Sequence, residues 1–340
     1  MKHLKRSLLF IFVFTVFSCQ KEEVKNETDS KNQLVESTER QIGSAFSLRY
    51  YKNELAKNPE LALRRQSIEA FTANNVNNVS NSNVQNRAGN KIVIPVVFNV
   101  LWNNESEKIS RESCQSQIDV LNDDFNGTND DYNSANFYNS VRGRLYVKFT
   151  LDKIVYKYTP KIKWDLIFGE GMKNPAVGGI PVSSPRTKLN FWVVGKLFYD
   201  RQPLFVQPQL PGMDYGPLST DGVIVRGGQV GVKQGDNFRR GRALTYAVAI
   251  WMNVYPIWGL DGAECGDDLV SDTPTHDSPN FGNNYTGNIR STCPGKPFEM
   301  YWNFMDETDD FVKYMFTKGQ ANRMRATFAA GGPRSEFDRE

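Results

Sequence analysis

The acidic loop that contains Asp267 and Asp268 carries the side chains best suited to hold a metal ion. Asp267, Asp268, Asp272 and Thr273 offer hard oxygen atoms within one short segment, and calcium prefers such ligands. Loops rich in aspartate also form turns and helix caps. The pattern therefore leaves two interpretations open, a structural calcium site or a hydrogen-bonded turn.

Histidine chemistry is limited by number. The chain has two histidines, His3 and His276, and His3 lies in an N-terminal stretch that we expect to be removed. Mechanisms that need two or three histidines within the mature chain are thereby excluded. A single loop histidine is more often solvated than bound to a metal, so we expect His276 to be solvated. The spacing gives no support to a zinc site that combines it with Asp306 or Glu307.

The first residues have the order of a bacterial export signal. Lys2, Lys5 and Arg6 precede an apolar run at residues 8–17, which is too short to span a bilayer and suits the core of a signal peptide. Ser18 and Cys19 then resemble a lipobox, which predicts a signal peptide over residues 1–18 and lipidation of Cys19. An ordinary secretory signal with an incidental cysteine is the alternative.

A polar segment without aromatic residues follows at positions 19–40 and is predicted to be a tether. Its Lys21-Glu22-Glu23 run resembles the surface-export signal of Bacteroidetes lipoproteins, although a solvated tether would look similar. We expect an outer-membrane lipoprotein exposed at the cell surface. Removal of the three N-terminal basic residues brings the formal net charge from +3 to zero, which argues against a nucleic-acid-binding protein.

The rest of the chain divides by composition. Residues 41–73 have helical spacing of apolar residues, interrupted by Pro59. Residues 74–90 are rich in asparagine and are predicted to be a linker. The main domain is predicted over residues 91–330, with a short tail at 331–340.

Strands and helices alternate in the main domain, which predicts an α/β or α+β fold. Ser110 is the expected N-cap of the first helix. The predicted strands are Lys91 to Leu101, Leu145 to Leu151, Leu189 to Val194 and Gly222 to Arg226, and the predicted helices are Arg111 to Phe125 and about Arg240 to Val254.

Several segments, in order from about residue 40 to residue 328, resemble the pappalysin family of metzincin zinc proteases, which includes ulilysin and cytophagalysin-like enzymes. The resemblance implies a twisted, mostly parallel sheet with a backing helix, an active-site helix, and a loop-rich C-terminal subdomain with a Met-turn. The matching segments are Ile94 to Phe98, Gln117 to Asn122, Leu189 to Val193, Asp221 to Ile224, Gly241 to Thr245, Ile257 to Gly259, Cys265 to Pro274 and Asn303 to Asp306.

The catalytic signature of this family is H-E-x-x-H-x-x-G-x-x-H, in which three histidines bind zinc and the glutamate activates the bound water. The matching positions here are Tyr246, Ala247, Ile250, Asn253 and Pro256. Three of these residues have no side-chain donor atom, and a phenol is at best a weak zinc ligand. The metal ligands and the general base are therefore predicted to be absent, while asparagine suits the left-handed turn at the glycine position.

The Met-turn is predicted to keep Met305, but Glu307 stands where the family has a tyrosine that steadies the oxyanion. The resemblance also implies a disulfide between Cys265 and Cys293 and calcium binding in the acidic loop. Cys114 is left over and is predicted to be a buried free thiol.

Three functions remain in competition. The first is a catalytically inactive surface lipoprotein whose former substrate cleft binds a peptide, protein or glycan; a peptide would add along an edge strand near residues 204–218. The second is an active zinc metalloendopeptidase with unusual metal ligands. The third is a purely structural envelope lipoprotein.

Overall fold

The computed structural model describes residues 50–81, 91–134, 137–214, 218–233, 240–260, 264–283, 291–294 and 297–340. The predicted signal peptide, Cys19 and the tether therefore lie outside the described residues. Within the described ranges, no helix is both long and apolar enough to cross a membrane.

The core of the molecule is a five-stranded sheet in the order β3-β1-β5-β9-β8. All neighbouring pairs are parallel except the last, in which β8 runs antiparallel to β9 and forms the sheet edge. This confirms the predicted mostly parallel sheet. The strands are β1 (Ile92–Trp102), β3 (Val147–Tyr158), β5 (Leu189–Val194), β8 (Val206–Gln207) and β9 (Val223–Arg226).

Two smaller sheets flank the core. A three-stranded sheet has the order β4-β6-β7, and a two-stranded ladder joins β2 to β10. Their strands are β2 (Arg142–Gly143), β4 (Trp164–Asp165), β6 (Leu197–Tyr199), β7 (Gln202–Leu204) and β10 (Phe316–Thr317).

Four longer helices pack around the sheets: α1 (Pro59–Asn81), α2 (Arg111–Asn126), α3 (Arg242–Trp251) and α4 (Lys318–Thr327). Helix α2 begins as predicted, because the Ser110 side chain accepts a hydrogen bond from the Ser113 amide. Its buried face includes Cys114 and Phe125, which confirms the apolar stripe inferred from residue spacing.

The N-terminal helical region extends further than its composition indicates. Helical turns at residues 50–57 stop before Asn58, whose side chain accepts hydrogen bonds from the amides of Glu60 and Leu61. Helix α1 then continues to Asn81, into the segment predicted to be a linker. Helix α1 packs against α4, and tertiary packing commonly overrides the weak helix propensity of asparagine.

The last ten residues also differ from expectation, because the predicted tail packs into the main domain. Arg334 and Phe337 are buried. The Lys91 amide donates to the Glu340 carbonyl, and the Glu340 amide donates back to the Lys91 carbonyl. The C-terminus therefore belongs to the core beside β1.

Candidate functional site

Helix α3 starts at a glycine that no other residue could easily replace. Gly241 has φ 77°, and a Cβ atom there would lie 2.9 Å from the Gln117 side-chain oxygen. The Gln117 side chain holds this turn in place: Nε2 donates to the Gly241 carbonyl, and Oε1 accepts from the Gly231 amide. The backing helix α2 thus fixes where α3 begins.

The end of α3 is a left-handed turn, as predicted from Asn253. This residue has φ 69°. Its amide donates to the Ile250 carbonyl at 2.8 Å, and the Val254 amide donates to the Ala249 carbonyl at 3.0 Å. These two bonds form a Schellman motif, which normally favours glycine and next asparagine at this position. The chain therefore turns where the family signature has its glycine.

The positions that the resemblance assigns to the metal ligands hold packed side chains. Ala247, Ile250 and Pro256 are buried and offer no donor atom. The Tyr246 hydroxyl is hydrogen-bonded to Glu307, and burial, followed by the charge of Glu307, raises the pKa of Tyr246 far above its ordinary value. A phenol held neutral is a poor metal ligand. The residues at these positions do not fit a catalytic zinc ion, and no cluster of histidine, cysteine or acidic side chains elsewhere in the described residues could hold one.

The segment predicted to be the Met-turn lies against the chain that follows this helix. Met305 is fully buried, and its carbonyl accepts from the Ile257 amide at 3.5 Å. The Met305 amide donates to the Asn303 side-chain oxygen, and the Asn303 and Gln320 amides pair with each other at 2.9 and 3.1 Å. Helix α4 thereby supports the turn.

Asp306 is buried directly beside the Met-turn. Its two carboxyl oxygens accept from the backbone amide and the side-chain amide of Asn280, each at 2.9 Å. Burial raises the pKa of Asp306 from 3.8 to about 7, although the hydrogen bonds from Asn280 act in the opposite direction. The fold therefore binds the proton of this carboxyl more tightly than the unfolded chain does.

This raised pKa predicts a stability that decreases with rising pH. The contribution of Asp306 is fully present below about pH 4 and is lost as the pH rises through about 7. We expect the urea midpoint of unfolding of the parent chain to be lower at pH 8 than at pH 5. The difference between the two midpoints should be smaller in Asp306→Asn. Asp152→Asn, at an exposed ion pair with Lys188, is the control. A midpoint that rises over this interval would contradict the assignment.

The N-terminal region lies along the segment predicted to form the edge of the cleft. The Tyr51 hydroxyl donates to the Pro208 carbonyl, and Arg65 donates to the Pro211 carbonyl at 2.8 Å. Arg64 donates to the carbonyl of Asp214 at 2.9 Å. Three side chains of this region therefore occupy carbonyl groups within residues 204–218, beyond the edge strand β8.

The side chain of Asn253 fastens helix α1 to the end of α3. Its Oδ1 accepts from Arg65 at 2.8 Å, and its Nδ2 donates to the Thr72 hydroxyl at 2.9 Å. Arg65 and Thr72 are 6% and 0% exposed, so these bonds are shielded from water. A glycine at this position would form neither bond.

Charged residues extend this junction, which we call the α1 clamp (Arg65, Glu69, Thr72, Asn253, Tyr255 and Arg323). Glu69 accepts from Arg323 at 2.6 Å and from the Tyr255 hydroxyl at 2.9 Å. Burial raises the pKa of Glu69, but Arg323 and the other donors outweigh it and hold the pKa below its ordinary value. The clamp was not predicted from the sequence, although the four-residue spacing of Arg65 and Glu69 is typical of a helical ion pair.

The acidic loop combines turns with unpaired oxygens. Asp268 is buried, and its Oδ1 accepts from the Val270 amide and the Thr273 hydroxyl. Asp267 Oδ1 accepts from the Leu269 amide. In contrast, Asp268 Oδ2 and Asp272 Oδ1 are buried without a hydrogen-bond partner among the described residues. Both the turn and the calcium interpretation therefore keep support, although the acidic side chains described here do not converge into a metal cluster.

The prediction for His276 was wrong. Its side chain is completely buried, and Nε2 accepts a hydrogen bond from the Met300 amide at 3.0 Å. The isolated bridge between His276 and Gly266 brings this histidine into the loop core. It therefore acts as a neutral packing residue in the C-terminal subdomain.

The cysteine predictions are confirmed within the described part of the chain. Cys265 and Cys293 form a disulfide with a Cα separation of 5.6 Å. Cys114 is a buried free thiol, and burial raises its pKa to about 12, which makes it unreactive at neutral pH.

Comparison with known proteins identifies secreted proteases and a solved fold. No protein-family model matches the chain. The chain is 24% identical over 255 residues to an extracellular metalloprotease of Arthroderma benhamiae, covering 74% of this chain and 76% of that protein. A match to an extracellular metalloprotease of Arthroderma otae is 29% identical over 113 residues, but it covers 33% of this chain and only 41% of that protein.

Two solved structures cover most of the described domain. Mature mirolysin of Tannerella forsythia, in complex with a cleaved peptide, is 31% identical with a TM-score of 0.66, covering 72% of this chain and 95% of that chain. A promirolysin variant from the same organism is 28% identical with a TM-score of 0.66, covering 77% of this chain and 94% of that chain.

Proposed function

This chain belongs to the pappalysin-type metzincin metalloprotease family, and from that membership we propose that it is a catalytically inactive member with a binding or scaffolding role at the cell surface. The relatives are named extracellular metalloproteases, which indicates export of this chain as well. The protein retains the protease scaffold while its former zinc site carries other side chains.

The hydrogen bond between Tyr246 and Glu307 is the observation that supports inactivity most strongly. Tyr246 stands at the position of a zinc ligand in the family signature. Glu307 stands at the position of the oxyanion-stabilising tyrosine that follows the Met-turn in the family. Because each is the other's partner, neither is available to a metal or a substrate. Ala247, at the position of the general base in the signature, has no group that could activate water.

Metal content and cleavage measured together test this proposal. The purified mature chain, incubated with one equivalent of zinc and desalted, is expected to retain far less than one zinc per chain. It is also expected to leave a mixed peptide library intact. One firmly bound zinc, with cleavage that a chelator abolishes and Tyr246→Phe removes, would establish the active-protease alternative. Cleavage that survives in Tyr246→Phe would instead indicate a contaminating enzyme.

The former cleft is the proposed place of a peptide or protein ligand, and the N-terminal region competes for it. Tyr51 and Arg65 already bond to carbonyl groups past the edge strand. A ligand that adds to this edge therefore has to displace them. Pull-down from native membranes with the intact chain and with Arg65→Ala tests this, since a cleft ligand should be captured better by the variant. If the intact chain and Arg65→Ala capture a ligand equally, or if neither captures one, no ligand depends on the cleft and a purely structural role remains.

Calcium remains a proposed structural ligand of the acidic loop. Asp268 and Asp272 each have an unpaired buried oxygen, which suits a hard cation that also takes backbone carbonyl groups. We expect saturating Ca²⁺ to raise the melting temperature by about 5 °C, with no increase in the double variant Asp268→Asn/Asp272→Asn. Mg²⁺ at the same concentration is the control. An equal response of both proteins to Ca²⁺ would exclude this site.

Anchoring through Cys19 also remains a proposal, supported by the order of the export signal. Mass spectrometry of the N-terminal peptide from native membranes should find an acylated cysteine as the first residue. Cys19→Ser should move the chain to the soluble fraction. An unmodified N-terminus at another residue would indicate an ordinary secretory signal.

A further inference from the structure

A cavity of about 610 Å³ lies between the β2–β10 ladder and the start of α4, and its lining includes none of the residues assigned to the former zinc site or cleft. Its lining includes Arg142, Arg144 and Lys318, with Tyr132, Asn133 and Asn322. Its volume falls within the usual range for small-ligand sites, about 300–1,000 Å³.

The three cations of this cavity carry uncompensated charge. Arg142 donates to the Ser134 carbonyl and, at 2.7 Å, to the Asn139 side chain, while Lys318 donates to the Ser140 carbonyl at 2.8 Å. All of these acceptors are neutral. Among the described residues, none of the three forms an ion pair with a carboxylate, and no acidic side chain lines the cavity. The site therefore presents a positive potential in a concave surface, which attracts anions.

Aromatic rings hold the two guanidinium groups in place. Arg144 lies 5.0 Å from the centre of the Tyr132 ring, and Arg142 lies 5.5 Å from the same ring and 5.7 Å from that of Tyr314. Such cation–π contacts fix the direction of the donors. Because less side-chain freedom is lost on binding, a positioned arginine binds an oxyanion more favourably than a mobile one.

The backbone around the cavity is also constrained. Tyr146 has φ 59°, a left-handed conformation that is unfavourable for an aromatic residue and is often found at functional sites. A Cβ atom at Gly143 would lie 2.2 Å from the Thr317 carbonyl, so β2 and β10 approach closely here. The close ladder gives the cavity a rigid floor.

We propose that this cavity binds a sugar carrying sulfate or phosphate groups. Three cations can pair with more than one oxyanion, and arginine matches such groups with two parallel hydrogen bonds. The amide side chains of Asn133, Asn139 and Asn322, which also line the cavity, both donate and accept, as sugar hydroxyl groups require. The proposal does not depend on the loss of catalysis and extends the binding role to a second surface.

Titration calorimetry of the mature chain with a sulfated disaccharide, at low and at moderate salt, tests the site. The unsulfated disaccharide, a phosphorylated disaccharide, inorganic sulfate and an acidic peptide are the comparison ligands. We expect binding of the sulfated or phosphorylated sugar that weakens with salt, and about a tenfold loss of affinity in each of Arg144→Gln and Lys318→Gln. Both substituted side chains are exposed, so the variants should fold.

Arg226→Gln is the matched control, because Arg226 also lies over an aromatic ring, at 5.1 Å from that of Phe205, but outside the cavity. The affinity of Arg226→Gln for the sulfated disaccharide should equal that of the parent chain. The proposal is overturned if the unsulfated disaccharide binds as tightly as the sulfated one, or if inorganic sulfate is the only ligand that binds. It is also overturned if Arg226→Gln loses as much affinity as the two cavity variants. If the acidic peptide binds more tightly than the sulfated and phosphorylated sugars, the ligand of this cavity is a peptide and not a sugar.

Discussion

Replacement of Arg334 by alanine is expected to lower the free energy of unfolding by about 3–5 kcal/mol. Arg334 forms two parallel bonds with Asp221, at 2.7 and 2.8 Å, and its guanidinium lies 3.8 Å from the centre of the Trp251 ring. All three side chains are buried. Alanine would leave the Asp221 carboxylate without its cation and would remove one of the attachments of the C-terminal segment to α3, while the Phe337–Trp251 ring contact remains. Urea unfolding followed by tryptophan fluorescence measures the loss.

Arg186→Ala provides the matched control for this experiment. Arg186 also pairs with a carboxylate, Glu336 at 2.6 Å, but both side chains are more than half exposed. Exposed pairs contribute little, about 0–1 kcal/mol. A similar decrease for the two variants would mean that burial of the Arg334–Asp221 pair has no consequence for stability.

The second large effect is expected at the α1 clamp. Arg65→Ala removes donors to Asn253, to the Tyr255 hydroxyl and to the Pro211 carbonyl, each at 2.8 Å. Since hydrogen bonds of charged groups contribute about 1.5–3 kcal/mol each and are not fully additive, we expect a loss of about 3 kcal/mol. Helix α1 should exchange its amide hydrogens faster and become accessible to trypsin, while the central sheet stays protected.

The neighbouring arginine is a suitable control. Arg64 also bonds to a backbone carbonyl, that of Asp214, but its side chain is 42% exposed. Arg64→Ala should leave the exchange of α1 nearly unchanged. If Arg65→Ala leaves α1 as protected as in the parent chain, the clamp does not hold the N-terminal region. Asn253→Gly keeps the left-handed turn but removes the side chain. It should increase the exchange of α1 more than Arg64→Ala does and less than Arg65→Ala does.

Those parts of the molecule that depend on local residue patterns were predictable. The spacing of apolar residues predicted α2, and Ser110 predicted its first turn. The β-branched run from Lys91 predicted β1 within one residue at each end. Asn253 could be assigned a left-handed conformation because few residue types accept it, and φ confirms this assignment.

Helix α4 was missed because few of its residues are apolar. Its start nevertheless carries a local signal, since Thr317 and Gln320 form a capping box. Strand β3 begins later than predicted and continues to Tyr158. Its start follows Tyr146, whose positive φ cannot occur inside a strand.

The buried charges could not be predicted, because their partners are distant in the chain. Asp221 lies 113 residues from Arg334, and Asn253 lies 188 residues from Arg65. Arginine is usually a surface residue, so single residues give no indication of such pairs. His276 was assigned to solvent for the same reason. In the candidate site, only the replaced positions of the signature were recognisable, because they share one helix and its following turn.

Single substitutions that restore the residues of the family signature are expected to destabilise this protein, because Asn253 and Tyr246 now form other contacts. Restoring glycine would preserve the turn after α3, but it would remove both bonds that this residue gives to α1. Restoring a histidine at residue 246 would leave the half-buried Glu307 without its phenol partner. Each of these single substitutions is therefore expected to lower stability without by itself supplying the ligands of a metal site. The hydrogen bonds of Asn253 and Tyr246 thus favour the residues now present at these two positions.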